Sequence, residues 1–151
     1  MLTHANLDVQ TRFWIDDKQM NDIYNSFDVF CFPTGGEGFG IPLLEAQAAG
    51  VPVITTEFTT GLELVKGHGW LVEVLKDKHK RSVYWTGQNG VDFAIPDDLD
   101  IAKKLQEAYD NKKLLEEYRK KAREHSMKYD WDMIVPMWAD LIRNRPVLKK
   151  S

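Results

Sequence analysis

Two predominantly apolar runs and the segment between them give this chain its clearest pattern. Residues 28–32 and 51–55 each form such a run, as in strands that are buried on both faces of a sheet. Residues 42–49 predict a helix that ends at Gly50. Strand, glycine-rich loop, helix and strand together make a βαβ unit, so the sequence predicts an α/β fold with a parallel sheet.

Weaker patterns flank this unit. Asp16 or Asp17 can cap a helix whose apolar face carries Met20, Ile23 and Tyr24. The other predicted elements before residue 76 are a strand over residues 9–15, the capped helix to about residue 26, a helical turn over residues 62–66 and a strand over residues 69–75.

The second half of the chain is mainly helical in pattern. Residues 76–92 form a polar excursion from the sheet, with Tyr84 and Trp85 embedded in it. Helices are predicted over residues 97–111, 112–127 and 131–143, and they should cover the sheet or a neighbouring domain. The first of them carries Leu99, Ala102, Leu105 and Ala108 on one side. Trp131, Met137 and Trp138 on the last helix suit either a docking surface or local core packing.

Composition and charge exclude several classes of protein. The 151 residues carry a formal net charge of −3, which lacks the basic field of nucleic-acid binders. One cysteine, Cys31, excludes a disulfide within the chain and fits a reducing compartment. No apolar stretch approaches the roughly 18 residues of a membrane span, and the first residues lack the features of a signal peptide. We therefore predict a cytoplasmic protein without a transmembrane segment.

The chemistry is concentrated in the loop and helix start over residues 33–46. Gly38 and Gly40 allow close approach of the backbone to a ligand. Pro42 suits the first helical position, which leaves the amides of Leu43 and Leu44 free. Such amides and the helix dipole stabilise an anion, for example a pyrophosphate.

Two glutamates eight residues apart flank this helix start. We expect Glu37 on the loop and Glu45 in the first helical turn. A carboxylate accepts two hydrogen bonds in a fork, which is what a vicinal diol offers. The pattern therefore favours a ligand with a diphosphate centre and a sugar at each end, such as a nucleoside diphosphate sugar.

The segment Glu-Gly-Phe-Gly-Ile-Pro-Leu-Leu-Glu-Ala over residues 37–46, followed by Ala-Gly-Val-Pro-Val-Ile over residues 49–54, resembles the E-x7-E signature of retaining GT-B glycosyltransferases of the group 1 type. The resemblance covers about residues 9–75. It implies that the chain is a partial Rossmann-like sheet from the C-terminal donor-binding domain of that fold, with the C-terminal helices packed on it.

The same resemblance implies roles for individual residues. Glu37 would hold the hydroxyls of the donor sugar as the catalytic residue, and Glu45 would hold the ribose diol. The other implied donor-binding positions are the backbone of Gly38, Phe39 and Gly40 at the transferred sugar, and Ile41 and Leu43 near the diphosphate. The substrate would be a UDP-, GDP- or ADP-sugar, the acceptor is not specified, and neither a cofactor nor a metal is required.

The resemblance also implies that part of the family's fold is missing. The donor-binding domain of relatives opens with a strand and helix that supply an Arg and Lys pair to the diphosphate, and only eight residues precede residue 9 here. We expect one incomplete domain over residues 1–151, without the N-terminal acceptor domain and inactive alone. It would need that domain or self-associate through an open sheet edge. Family members can work at the membrane periphery, although no residue here indicates that location.

Other functions remain open alternatives at this point. One is a non-catalytic module that binds a nucleotide sugar or a partner chain. Another is a dinucleotide-binding domain, with Glu57 as the ribose-binding acid, although Ile41 stands where its third glycine is needed. The Asp-x-Asp pairs at 98–100 and 130–132 are ordinary helix caps, and the four histidines lack ligand spacing, so we predict no metal.

Overall fold

A three-stranded parallel sheet is the centre of the computed structural model, which describes residues 15–88 and 90–144. Its order is β1-β2-β3, with Phe30 opposite Val53 and Ile54 opposite Trp70. The strands of this sheet are β1 (Phe30–Cys31), β2 (Val53–Thr56) and β3 (Trp70–Val72), and a separate antiparallel hairpin consists of β4 (Tyr84–Thr86) and β5 (Asp92–Ala94). The predicted α/β fold with a parallel sheet is confirmed.

Six helices surround these strands in the part of the chain that is described. They are α1 (Asp17–Asn25), α2 (Ile41–Ala48), α3 (Thr60–Val65), α4 (Asp98–Asp110), α5 (Lys112–Ser126) and α6 (Trp131–Arg143), with a 3-10 turn at Met127–Tyr129 between the last two. Their positions agree with the predicted helices to within a few residues. The strand predicted over residues 9–15 lies outside the described residues except for Ile15.

Local capping explains where α1 begins. The Asp16 side chain accepts from the Gln19 N–H at 2.7 Å, and the Gln19 side chain accepts from the Asp16 N–H at 3.0 Å, which is a reciprocal capping box. On the predicted apolar face, Tyr24 is buried and Met20 packs on the core, whereas Ile23 is exposed.

Burial differs sharply between the strands. Every residue of β2 is buried, as expected for a strand between two neighbours. In contrast, β1 has two residues, both half-buried, so the prediction of a strand buried on both faces over residues 28–32 is wrong. The reason is its position, since β1 pairs only with β2 among the described strands and is an edge of the sheet.

The predicted packing of C-terminal helices on the sheet is confirmed for α4 and α5, and α5 also contacts α2. In α4 the predicted apolar side is confirmed at Ala108, which is buried, and wrong at Leu99 and Leu105, which are exposed. Ile101 packs inward beside Ala108 instead. The spacing of seven residues between the inward pair is two helical turns, so both lie on one face.

Residues late in the chain secure α2 from the side of α5. Arg123 donates to the Ala48 carbonyl, and the His125 ring lies 3.3 Å from the Gln47 side-chain oxygen through Nδ1. Gln47 is fully buried and donates to the Leu64 carbonyl at 2.9 Å. The buried amide is therefore satisfied by partners from α3 and α5.

Two histidine rings pack against each other beside Gln47, tilted by 31°. The rings of His68 and His125 are 4.1 Å apart, with the positive charges of Lys121 and Lys128 nearby. Burial lowers the pKa of His68, and burial together with the His68 and Lys128 charges lowers the pKa of His125 to about 4. Both rings are therefore neutral at pH 7.

The last helix, α6, has no buried residue in the described structure. Trp131 is 75% exposed and Trp138 is 60% exposed, so the alternative of local core packing is wrong for this face. The alternative of a docking surface stays a prediction. No helix of the described residues is both long enough and apolar enough to cross a bilayer.

Candidate functional site

The glycine-rich loop follows the carboxyl end of β1 and leads directly into α2, the position at which parallel α/β sheets bind ligands. The hairpin β4–β5 packs against its start. Ala94 N–H donates to the Gly35 carbonyl at 2.7 Å, and a Cβ on Gly35 would lie 2.9 Å from the Ala94 carbonyl oxygen. The loop therefore requires glycine at this position because a strand backbone occupies the space.

Glu37 is held in the loop through its backbone. Its N–H donates to Thr59 Oγ1 at 3.1 Å, which joins the loop to the start of α3. The side chain is half-buried, and its carboxylate has no hydrogen-bond or ion-pair partner among residues 15–88 and 90–144. The carboxylate is therefore free to accept hydrogen bonds from a ligand.

The free amides at the start of α2 are not those that the sequence predicted. Leu43 and Leu44 both donate to the Gly40 carbonyl, at 3.0 and 3.4 Å, because α2 begins at Ile41, with Pro42 second. The amides of residues 38–41 instead have no acceptor among the described residues. The helix start still offers a run of backbone donors, shifted toward the glycines.

Individual loop positions differ in what they can offer a ligand. Gly38 is exposed, and a Cβ there would meet nothing within 4 Å, so the space above it is open. Gly40 is buried and has φ +85°, a conformation that favours glycine, and its carbonyl begins the helix. Leu43 is fully buried beneath the loop, and its amide donates to the Gly40 carbonyl. The implied place of Leu43 near a diphosphate stays a prediction.

The side chains of Phe39 and Ile41 point away from the core. They are 54% and 59% exposed, and Phe39 packs edge-on against Tyr129 with ring centroids 6.2 Å apart. Both line an apolar cleft of about 750 Å³ between α2 and α6, which also contains Trp131 and Trp138. This cleft opens beside the loop, and no Lys or Arg of the described residues lines it.

Glu45 is the fifth residue of α2, so it lies in the second helical turn and not in the first as predicted. It is exposed, and it lines both the apolar cleft and a smaller cleft of about 240 Å³ between α1 and α2. Its Oε2 accepts a 2.8 Å hydrogen bond from the Tyr24 hydroxyl. Burial, this hydrogen bond and the Glu45 charge raise the pKa of Tyr24 to about 12, so the phenol remains a donor.

No group of three or more His, Cys, Asp or Glu side chains is arranged as a metal site in the described part of the chain. The expectation of a metal-free site stays a prediction. Cys31 is a free, half-buried thiol whose pKa is raised by burial, which disfavours the reactive thiolate.

The structure thus places residues 37–41 at the start of α2, Glu45 in its second turn and Leu43 in the core. Sequence reasoning missed Tyr24 as the partner of Glu45, since it assigned Tyr24 only to an apolar face. It also missed the hairpin, for which the Asn-Gly dipeptide at residues 89–90 is a turn signal in the sequence. The roles of the individual site residues stay predictions.

Comparison with known proteins identifies one family. Residues 3–125 match the family described as glycosyl transferases group 1. The chain is 52% identical over 52 residues, 33% of its length, to the capsular polysaccharide biosynthesis glycosyltransferase CapM of Staphylococcus aureus, of which it covers 14%.

Two relatives are similar over more of the chain. The D-inositol 3-phosphate glycosyltransferase of Corynebacterium urealyticum is 28% identical over 134 residues, which are 89% of this chain and 27% of the relative. The phosphatidyl-myo-inositol mannosyltransferase of Mycobacterium leprae is 31% identical over 121 residues, 80% of this chain and 27% of the relative.

The chain therefore spans between 14% and 27% of the length of these three relatives. The family match contains the whole glycine-rich loop and α2, and it disfavours the dinucleotide-binding alternative. With its parallel α/β sheet and a matched segment of residues 3–125, the chain belongs to the glycosyl transferases group 1 family.

Proposed function

We propose that this chain is the donor-binding part of a glycosyltransferase that transfers a hexose from a nucleoside diphosphate sugar with retention of anomeric configuration. The observation that carries the proposal is the run of amides at residues 38–41, which opens α2 between the carboxylates of Glu37 and Glu45. The retention of configuration rests on the resemblance of residues 37–46 to the E-x7-E signature.

The amide run suits the diphosphate of such a donor. Backbone N–H groups at a helix start favour an anion, because they donate hydrogen bonds and the helix dipole adds a positive potential. The open space above Gly38 admits the ligand without displacing a side chain. In the transfer step the diphosphate leaves with its charge, and the same donors stabilise that charge.

The two carboxylates suit the two sugars at either end of the diphosphate. Glu45 lies on the helix and has lone pairs left for the ribose diol, and the unpartnered Glu37 carboxylate on the loop accepts from the hydroxyls of the hexose. The Mycobacterium leprae relative is named a mannosyltransferase, and mannose is a hexose.

We also propose that the 151 residues alone bind the donor without transferring its sugar. Among the described residues, no Lys or Arg side chain lines the apolar cleft beside the loop, where it could neutralise the leaving diphosphate. Loss of a single donor to a developing negative charge typically costs about 2.7–4 kcal/mol of the barrier. The acceptor, the partner domain and the cytoplasmic location stay predictions.

Calorimetry and amide NMR on the 151-residue chain test the binding proposal. Titration with UDP, GDP and ADP, and then with the corresponding nucleotide sugars, should shift the amide signals of Gly38 and Gly40. Shifts confined to α4, α5 and α6 would place the ligand elsewhere and contradict the proposal.

Matched substitutions test the division of roles. Glu45→Ala should weaken nucleoside diphosphate binding about tenfold or more, because a hydrogen bond to a charged group contributes roughly 1.5–3 kcal/mol. Glu37→Ala should leave nucleoside diphosphate affinity nearly unchanged and weaken only the nucleotide sugar. Glu57→Ala is the control, since this exposed carboxylate lies after β2 and outside the loop. A loss at Glu57 with none at Glu45 would favour a dinucleotide-type site instead.

A further inference from the structure

The hydrogen bond between Tyr24 and Glu45 joins a buried group to an exposed one. Tyr24 is 7% exposed, and its ring packs edge-on against Phe30 with centroids 5.5 Å apart. Glu45 lies 21 residues later, on the surface of α2. The phenol is therefore a fixed donor, while the carboxylate would otherwise sample several rotamers.

The hydrogen bond between Tyr24 and Glu45 lies beside two clefts on the surface of α2. Tyr24 and Glu45 both line the 240 Å³ cleft between α1 and α2, together with Asp17, Met20 and Asn21. Glu45 also lines the larger cleft beside the glycine-rich loop. The carboxylate thus lies on the surface that a nucleotide bound at α2 would contact.

Lone-pair arithmetic leaves the carboxylate able to bind a diol. An ionised carboxylate offers about four acceptor sites, and Tyr24 uses one of them on Oε2. Oε1 and the second lone pair of Oε2 remain available, so each carboxylate oxygen can accept from one of the two ribose hydroxyls. Because Tyr24 fixes the orientation of the carboxylate before the ligand arrives, less side-chain freedom is lost on binding.

We propose that Tyr24 is a positioning residue for Glu45 and that this pair makes the site selective for nucleoside diphosphates with an intact ribose diol. The inference rests on the proposed function, in which Glu45 accepts from the ribose. It differs from a purely structural tether of α1 to α2, because a tether would affect all nucleotides equally.

The test compares two ligands on the folded chain by calorimetry. The nucleoside diphosphate that binds most tightly among UDP, GDP and ADP is compared with its 2′,3′-dideoxy analogue, which lacks the whole diol. The unmodified chain should prefer the ribonucleotide about tenfold or more. Tyr24→Phe should reduce this preference about twofold to tenfold and leave the affinity for the dideoxy analogue unchanged.

Tyr24→Phe keeps the ring and its packing, so we expect the variant to fold, and a thermal melt checks this. Tyr118→Phe is the control: Tyr118 is a half-buried tyrosine whose ring packs against Trp70 at the other side of the sheet. It should leave the preference for the diol unchanged.

The outcomes separate the two levels of the argument. If Tyr24→Phe weakens the affinity for both ligands equally, or for neither, the positioning role of Tyr24 is wrong. The proposed contact of Glu45 with the ribose would still stand. A preference for the diol that survives Glu45→Ala would show that the proposed ribose contact itself is wrong. Absence of nucleotide binding by the unmodified chain would overturn both.

Discussion

The two glycines that flank α2 provide a direct test of how the loop is held. Gly40 begins the helix at φ +85°, and Gly50 follows its end at φ +76°. Both conformations cost an L-residue about 1–2 kcal/mol. Their surroundings differ, however, since a Cβ on Gly50 meets nothing within 4 Å, whereas a Cβ on Gly40 lies 3.0 Å from Leu43 Cδ1 and 3.2 Å from Leu64 Cδ1.

The expected magnitudes follow from this difference. Gly50→Ala should cost about 1–2 kcal/mol in the free energy of unfolding, from backbone strain alone. Gly40→Ala carries the same strain, and it also inserts a methyl group between two leucines that are 0% and 2% exposed and have little room to move. Overpacking of a dense core costs typically about 1–3 kcal/mol, so the total for Gly40→Ala is about 2–5 kcal/mol.

Urea denaturation followed by circular dichroism measures both changes, and nucleotide titration measures the loop. We expect Gly40→Ala to lose more stability than Gly50→Ala and also to lose nucleotide affinity, because Gly40 lies inside the run of free amides. Equal losses of stability in the two variants would refute the packing argument. A normal nucleotide affinity in a folded Gly40→Ala variant would refute the role of the loop conformation.

Three further predictions concern the loop and its surroundings. Gly38→Ala should change the free energy of unfolding by no more than about 0.5 kcal/mol, because its Cβ meets only open space. It should still weaken nucleoside diphosphate binding in calorimetry, because a ligand would fill that space, and an unchanged affinity would contradict this. Gly35→Ala should cost about 1–3 kcal/mol in urea denaturation, since its Cβ would meet the Ala94 carbonyl at 2.9 Å, and a neutral effect would show that the hairpin moves freely. Because the pKa values of His68 and His125 are lowered, the unfolded chain binds more protons than the folded one between pH 6.5 and about 4, so stability is full above pH 6.5 and declines as the pH falls toward 4. His125→Gln should flatten this decline in urea titrations across that range, and an unchanged slope would exclude the histidine pair as its source.

Local signals explain what the sequence predicted well. The cap at Asp16, the apolar run of β2 and the glycine after α2 each act within a few residues, and each predicted its element close to the observed bounds. The pattern of residues 37–46 similarly predicted Glu37 on the loop before the helix, although Glu45 lies in the second turn and not in the first. These features depend on backbone preferences and capping, which are properties of short segments.

Features that depend on tertiary neighbours were not predictable in the same way. The free amides were predicted at residues 43–44 and are found at residues 38–41, because the exact start of a helix depends on which carbonyl accepts the first hydrogen bond. The Tyr24 to Glu45 hydrogen bond requires α1 to lie beside α2, and the half-burial of β1 follows from its place at the sheet edge. The hairpin strands have three residues each and β4 is exposed throughout, so an apolar alternation is weak there.

The contacts between α2 and α5 have a consequence for how the chain is made. Arg123 and His125 contact Ala48 and Gln47 across 75 and 78 positions of sequence, so they leave the ribosome long after α2 does. Contacts of such separation form late and slow the folding of a domain. During synthesis the helix that carries Glu45 therefore emerges before α5 can pack on it. Its Gln47 side chain, which is buried in the folded chain, lacks its contact with α5 until then. A released chain truncated before residue 119 should expose this helix to proteases, whereas one that extends past residue 126 should protect it.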